Sequence, residues 1–278
     1  VLSRTLLAMC IHLVCVMNCD KAEPLTLSGH GLEPTIHDAV PQKCHMKDIT
    51  AWQLIMDTRV KPGHDKSESS IMPNLTLYHA SPSRSSIVLW MLEEIGQPYD
   101  IKLVRLSEGD NLKPDYLAIN PMGKVPTLKH GDATITEAAA ICTYLADEFP
   151  DKKLNIPVGT PRRGEYLKWL FFGPSVIEPA MTDRAFPRKE NPRAASLGWR
   201  DFDTVLDIVS KSLAKGPYLL GEQFTTADIV IGSGLRYGMM FKLIPERKEF
   251  QDYVARLTTR PGAKRAEAKD KELGAKAA

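Results

Sequence analysis

Apolar residues settle into a regular period only from Leu75 onward, and two kinds of pattern then follow each other along the chain. Leu75-Thr76-Leu77-Tyr78-His79 reads as a short strand, with Ser81-Pro82-Ser83 as the turn that ends it. Val88, Met91, Leu92 and Ile95 recur at the spacing of one helix face, closed by Gly96 with Pro98 beyond. Tyr99, Ile101 and Leu103 alternate with Asp100 and Lys102 as a second strand. A polar helix is expected over 112–119, a hairpin from 125–129 and 133–135, and an apolar helix over 138–149. The order is βαβαββα, an α/β thioredoxin-like arrangement whose first three elements imply a parallel strand pair with a helical crossover.

Beyond Pro150 the strand pattern stops. Residues 151–160 carry Pro157 and Gly159 without periodicity and read as a linker between a domain at 72–150 and another at 161–278. The second domain is expected to be an all-α helical bundle. Pro161 suits a helix start, where its missing N–H does no harm. Trp199, Phe202, Leu206, Val209 and Leu213 trace an amphipathic face. Thr225 and Asp228 form a capping-box variant flanked by Phe224 and Ile229, a structural signal for the start of a buried helix. The Ala-, Lys- and Glu-rich tail after Arg260-Pro261 reads as a solvated helix that frays.

Residues 1–71 stand apart. They hold four of the five cysteines and five of the seven histidines, and they read as a disordered or non-native extension. The apolar run 6–17 after Arg4 superficially resembles a secretory signal, but Asn18-Cys19-Asp20-Lys21 offers no small-residue cleavage site. The run is also short for a bilayer span. Cys10, His12, Cys15 and Cys19 match no ligand spacing with a known mechanism, so no metal is expected. An opening Val1 fits a fragment or an upstream start.

Charge adds little: 36 basic against 34 acidic residues give a net charge of +2, which calls for neither nucleic acid nor a membrane surface as partner. Cys142, the one cysteine after the leader, sits in an apolar helix pattern as a small core residue. With no convincing export signal, that usage fits a cytoplasmic location. Ser83-Arg84-Ser85-Ser86 stands where a redox protein would carry Cys-x-x-Cys, which argues against thiol–disulfide exchange.

The stretch Asn120-Pro121-Met122-Gly123-Lys124-Val125-Pro126-Thr127-Leu128, followed by Ile135-Thr136-Glu137, carries the chemistry. Pro126 at a strand start removes a backbone donor and suits a cis bond to Val125. A bend there turns the N–H and C=O of Val125 outward, free to pair with an extended peptide. The next helix start offers unpaired N–H groups to an anion. A peptide edge beside an anion pocket suits a small carboxylate-bearing peptide, and glutathione fits.

These segments, with 83–100 and 216–229, resemble the soluble glutathione S-transferases, the bacterial and fungal serine-type members above all. The resemblance runs from Met72 to about Arg265. It implies a glutathione transferase that stabilises the thiolate of its co-substrate for attack on small hydrophobic electrophiles, works in detoxification and forms a homodimer. Isomerase, dehalogenase or peroxidase chemistry on the same site, or a non-catalytic glutathione-fold binding protein, are the alternatives. Ser83 matches the catalytic serine, Ser85 is the second choice and Tyr78 the third; the same serines also suit helix capping. Val125, Pro126 and Ala138 match the glutathione-binding positions, and Glu137 resembles the residue that contacts the γ-glutamyl amine, though the helix dipole favours an acid there in any case; Lys124 either meets a carboxylate of glutathione or is simply solvated. Arg84 either meets the glycyl carboxylate or faces solvent. Tyr166, Trp169, Phe172 and Met181 offer apolar surface for the second substrate, though such spacing also suits a core.

Two departures stand out. Ala138 replaces the serine whose hydroxyl usually holds the γ-glutamyl carboxylate, a loss of about 1.5–3 kcal/mol for a bond to a charged group. The backbone N–H and the helix dipole remain, so binding is weakened, not lost. Ile87 stands where similar sequences often carry arginine, and nothing in the sequence explains it.

Overall fold

The computed structural model describes residues 74–190 and 192–277. The expectations for 1–71, the cysteine–histidine group among them, lie outside the described residues.

Four strands, β1 (Leu75–His79), β2 (Asp100–Leu103), β3 (Thr127–His130) and β4 (Ala133–Thr136), form one sheet in the order β2-β1-β3-β4. β1 runs parallel to β2 and antiparallel to β3, with Leu77 opposite Ile101 on one side and Leu128 on the other. The period-two alternation of β1 sends Leu75, Leu77 and His79 to one face and Tyr78 to the other. The first face packs on the main core. Tyr78 instead joins Val104 and Tyr116 in a small second cluster.

Helix α1 (Ser85–Ile95) is the crossover between β1 and β2, and it is buried almost all round because several elements cover it. It ends where Gly96 takes φ +71° and donates its N–H to the Leu92 carbonyl. The expected helix over 112–119 shrinks to α2 (Pro114–Leu117), preceded by a 3-10 turn at Asp110–Leu112. Lys113 precedes a proline and is extended at φ −71°, ψ 147°, which stops a helix from running through it. α3 (Ala138–Glu148) follows the hairpin and buries Ile141, Cys142, Leu145 and Ala146.

The segment 151–160 is mostly irregular, yet Leu154 and Ile156 are buried and the Leu154 carbonyl accepts both the N–H and the hydroxyl of Thr226. Then come α4 (Arg162–Phe172), a π-helical turn (Gly173–Ile177), α5 (Glu178–Ala185), α6 (Phe202–Leu213), α7 (Thr226–Met240), α8 (Lys248–Thr258) and α9 (Pro261–Ala277). α6 begins only at Phe202, capped by Asp201, so Trp199 packs from the preceding loop. α7 opens on the expected box, and Asp228 also accepts the N–H of Leu219 and the hydroxyl of Tyr253.

The tail corrects its expectation. α9 is docked along α1, with Ala263 and Ala266 buried between them. Glu93 and Glu94 of α1 are nearly buried and draw in cations: Arg260 holds Glu94 through two bonds of 2.9 Å, while Arg265 and Lys269 meet Glu93 at 3.0 and 2.6 Å. A polar helix is held here by ion pairs whose partners lie more than a hundred residues earlier in the chain.

Candidate functional site

Three internal segments, each at the end of an element, meet beside the sheet. The first is the turn after β1, where Ser81–Pro82 is cis and Ser83 sits half-buried ahead of α1. The second is the loop before β3. There the Asn120 amide and the Tyr116 hydroxyl both donate to the Lys124 carbonyl, at 2.7 and 2.6 Å, and pin it inward. Val125–Pro126 is cis, and the N–H and C=O of Val125 form no hydrogen bond among the described residues. The third is the entry to α3. Glu137 holds φ +67° and ψ 117°, a conformation costing a non-glycine residue about 1–3 kcal/mol. That twist starts α3 abruptly, and the N–H groups of Ala138, Ala139 and Ala140 have no partner among the described residues.

A cavity of about 540 Å³ lies between these ends, lined by Lys124, Val125, Pro126, Glu137 and Ala138 together with Arg84 and Phe171. Its exposed donor, its free peptide edge and its helix N-terminus suit a peptide with a carboxylate at each end. A second, apolar cavity of about 240 Å³ adjoins it, lined by Ser83, Met181, Tyr237, Gly238, Phe241 and Leu243. Arg84, Ile87 and Glu178 wall both cavities. Arg84 Nε lies 2.7 Å from Glu178 Oε2, so this arginine is engaged by a carboxylate of the fold.

The structure sorts the candidate hydroxyls. Ser83 lines the apolar cavity, accepts the Ser85 N–H at 3.1 Å and sits 2.7 Å from the Ser85 hydroxyl. Ser85 is fully buried, and its hydroxyl binds Ala80 and His79, so it cannot reach a ligand. Tyr78 is buried on the opposite sheet face against Tyr116, because it sits one residue out of phase with Leu77.

The second-substrate residues need the larger correction. Tyr166 and Trp169 are buried in the core and line neither cavity. Burial pushes the Tyr166 hydroxyl well above its ordinary pKa. Phe172 packs on the core too, in edge-to-face contact with Trp169, while its exposed neighbour Phe171 faces the larger cavity. Met181 alone of the four lines the apolar cavity. Sequence reading missed Tyr237, Gly238 and Phe241. Gly234 and Gly238 alternate with Tyr237 and Phe241 at helical spacing, small beside aromatic, and that pattern was the available signal. Cys142 is buried in the core, and burial raises its thiol pKa far from the reactive range.

The comparisons with known proteins agree with this geometry. Residues 83–148 match the family description "Glutathione S-transferase, N-terminal domain" and 177–261 match "Glutathione S-transferase, C-terminal domain". Glutathione S-transferase GstA of Escherichia coli O157:H7 is 32% identical over 165 residues, spanning 58% of this chain and 79% of that protein. Glutathione S-transferase 1 of Schizosaccharomyces pombe is 30% identical, over 57% of this chain and 73% of its own. Among solved structures, a glutathione transferase from Methylococcus capsulatus superposes with a TM-score of 0.59 at 28% identity, covering 70% of this chain and 98% of its own. The Phanerochaete chrysosporium transferase URE2P6, in complex with oxidized glutathione, does so at 0.60 and 26%, covering 74% and 98%. This chain belongs to the glutathione S-transferase family.

Proposed function

We propose that glutathione lies in the larger cavity with its cysteinyl main chain paired to the free N–H and C=O of Val125. The γ-glutamyl carboxylate then takes the unpaired amides at the start of α3, Ala138 first, where the helix dipole also favours an anion. Glu137 receives the γ-glutamyl amine, and Lys124 meets the glycyl carboxylate. Ser83 donates its hydroxyl to the sulfur.

The chemistry follows from that placement. A free thiol titrates near ~8.5, so only a few per cent is thiolate at neutral pH. A hydroxyl aimed at the sulfur stabilises the anion, and each unit of lowering corresponds to ~1.4 kcal/mol. The thiolate attacks a small hydrophobic electrophile held in the apolar cavity against Met181, Tyr237 and Phe241. Holding both reactants together supplies the remaining advantage.

One observation carries the reading: the cavity with the free peptide edge and the apolar cavity that holds Ser83 share the wall of Arg84, Ile87 and Glu178. Retention on immobilised glutathione, followed by turnover of a generic aryl halide, tests it. Retention without turnover would favour a glutathione-binding protein, the reading that Ala138 supports best. Family likeness further suggests a cytoplasmic homodimer, which sedimentation of the full chain would check for its oligomeric part. Among the described residues no helix is long and apolar enough to cross a membrane.

A further inference from the structure

Ser83 is the outer end of a chain of polar groups that runs into the core. Its Oγ lies 2.7 Å from Ser85 Oγ, which lies 2.8 Å from His79 Nδ1. On the far side of the ring, His79 Nε2 lies 3.0 Å from Asp270 Oδ1, close enough for an ion pair though poorly aligned for a hydrogen bond. Asp270 also accepts the Ser86 hydroxyl at 2.9 Å. Ser85 and His79 are fully buried, and Asp270 is 19% exposed. The path therefore joins the apolar cavity to helix α9 through groups closed off from water.

A hydroxyl has one proton and two lone pairs, which limits how this chain can be wired. Ser85 Oγ accepts the Ala80 N–H at 3.1 Å, and the Ala80 carbonyl at 3.0 Å is a further acceptor for its proton, the resting alternative to either relay direction. Its two closest contacts are Ser83 and His79. It can accept from Ser83 while donating to Nδ1, or accept from Nδ1 while donating to Ser83. Both wirings satisfy it. They differ only in which way every proton in the chain points.

On the reading that Ser83 meets glutathione's sulfur, we infer that Ser83, Ser85 and His79 form a proton relay that removes the thiol proton, with Asp270 positioning the imidazole that receives it. In the starting wiring the S–H donates to Ser83, Ser83 to Ser85, and Ser85 to Nδ1. The S–H bond breaks as its proton joins Ser83 Oγ, the Ser83 proton passes to Ser85, and the Ser85 proton passes to Nδ1. The products are a thiolate and an imidazolium, so total charge is conserved. Every hydroxyl has reversed its direction, and Ser83 now donates to the sulfur anion. When product leaves, water reaching Ser83 takes the proton back out along the same hydroxyls and resets the chain.

Asp270 suits its part. Burial works to raise its pKa, but the contacts with His79, Ser86 and Ser81 hold it below the ordinary carboxylate value, so it stays ionised opposite the ring. It is the one carboxylate within ion-pair distance of His79 among the described residues. Around the imidazole and its carboxylate, α1 otherwise brings Ser85 and Ser86, and the apolar Leu103 at the end of β2 and Val104 just after it lie beside His79. This gives α9 a purpose beyond covering α1, since among the described residues it supplies the carboxylate that faces the imidazole.

The test counts protons. Glutathione is added to the full-length protein in weakly buffered solution at neutral pH. Bound thiolate is read by its ultraviolet absorbance and released protons by an indicator dye, with S-methylglutathione, which has no S–H, as the blank. The relay predicts clearly less than one proton released per thiolate formed in the wild type. His79→Gln should release one per thiolate, with kcat lowered about tenfold for each unit by which the thiol's pKa rises and KM for glutathione little changed. Asp270→Asn, a milder change on a partly exposed helix face, should move the ratio toward one even if His79→Gln fails to fold. A wild-type ratio of one, or ratios unmoved by Asp270→Asn, would overturn the relay while leaving the transferase reading intact. Binding without any thiolate would remove that reading, and the relay with it.

Discussion

Arg84 at the start of α1 and Glu178 at the start of α5 meet at 2.7 Å across the wall that both cavities share. Arg84 is 64% exposed, so the pair adds little stability by itself, on the order of 0–1 kcal/mol. Its expected effect is geometric. Arg84→Ala should leave thermal stability nearly unchanged while raising KM for the electrophile, measured by steady-state kinetics at saturating glutathione. A large drop in melting temperature would mean the pair is structural.

Ala138 marks a bond the fold has room for but lacks. Ala138→Ser places a hydroxyl at the first position of α3, where a γ-glutamyl carboxylate would sit. Titration calorimetry should show tighter glutathione binding by about 1.5 kcal/mol or more, roughly tenfold in Kd. No gain would argue that this carboxylate lies elsewhere.

Met181 and Trp169 separate cavity from core. Met181→Ala should enlarge the apolar cavity and shift preference toward bulkier electrophiles, with the Kd for glutathione unchanged. Trp169→Ala should instead cost about 3–5 kcal/mol in denaturant unfolding and leave the order of preferred electrophiles alone. The reverse pattern would restore Trp169 to the substrate site.

Acid should loosen the α1–α9 contact. Burial tends to raise the Glu93 carboxyl, but bonds from Lys269, Tyr99 and Arg265 outweigh it and hold the group below the ordinary glutamate value. A depressed folded-state pKa contributes stability above the unfolded value, near ~4.3, and that contribution is lost as pH falls through the folded value. Glu93→Gln should therefore lower stability at neutral pH and flatten its decline below about pH 4. Equal slopes in both proteins would place the acid sensitivity elsewhere.

Much of this was legible in the chain. The alternation at Leu75 to His79 and the loop from Asn120 to Leu128 give the first half of the fold and the peptide edge, because strand period and proline geometry are local properties. What the sequence hid depends on distant partners. Glu93 and Glu94 look like ordinary helix surface until Arg260, Arg265 and Lys269 arrive from α9, so that tail reads as solvated. Phe171 and Phe172 differ by one position on α4, and only the packing of neighbouring helices decides which one faces a cavity. Ser83 and Ser85 are equivalent by composition; the depth of the turn after β1 separates them. Tyr237 and Phe241 lie at the far end of α7, and only the packing of α5 beside them turns those rings toward a cavity.

At the centre of the proposed chemistry, the Ser83 hydroxyl lowers the proton affinity of glutathione's sulfur. Ultraviolet titration of the bound thiol in wild type and Ser83→Ala tests it most directly. The wild-type thiol should ionise well below ~8.5, and the variant should titrate at least one unit higher while binding glutathione about as tightly. Identical titration curves in the two proteins would contradict the account.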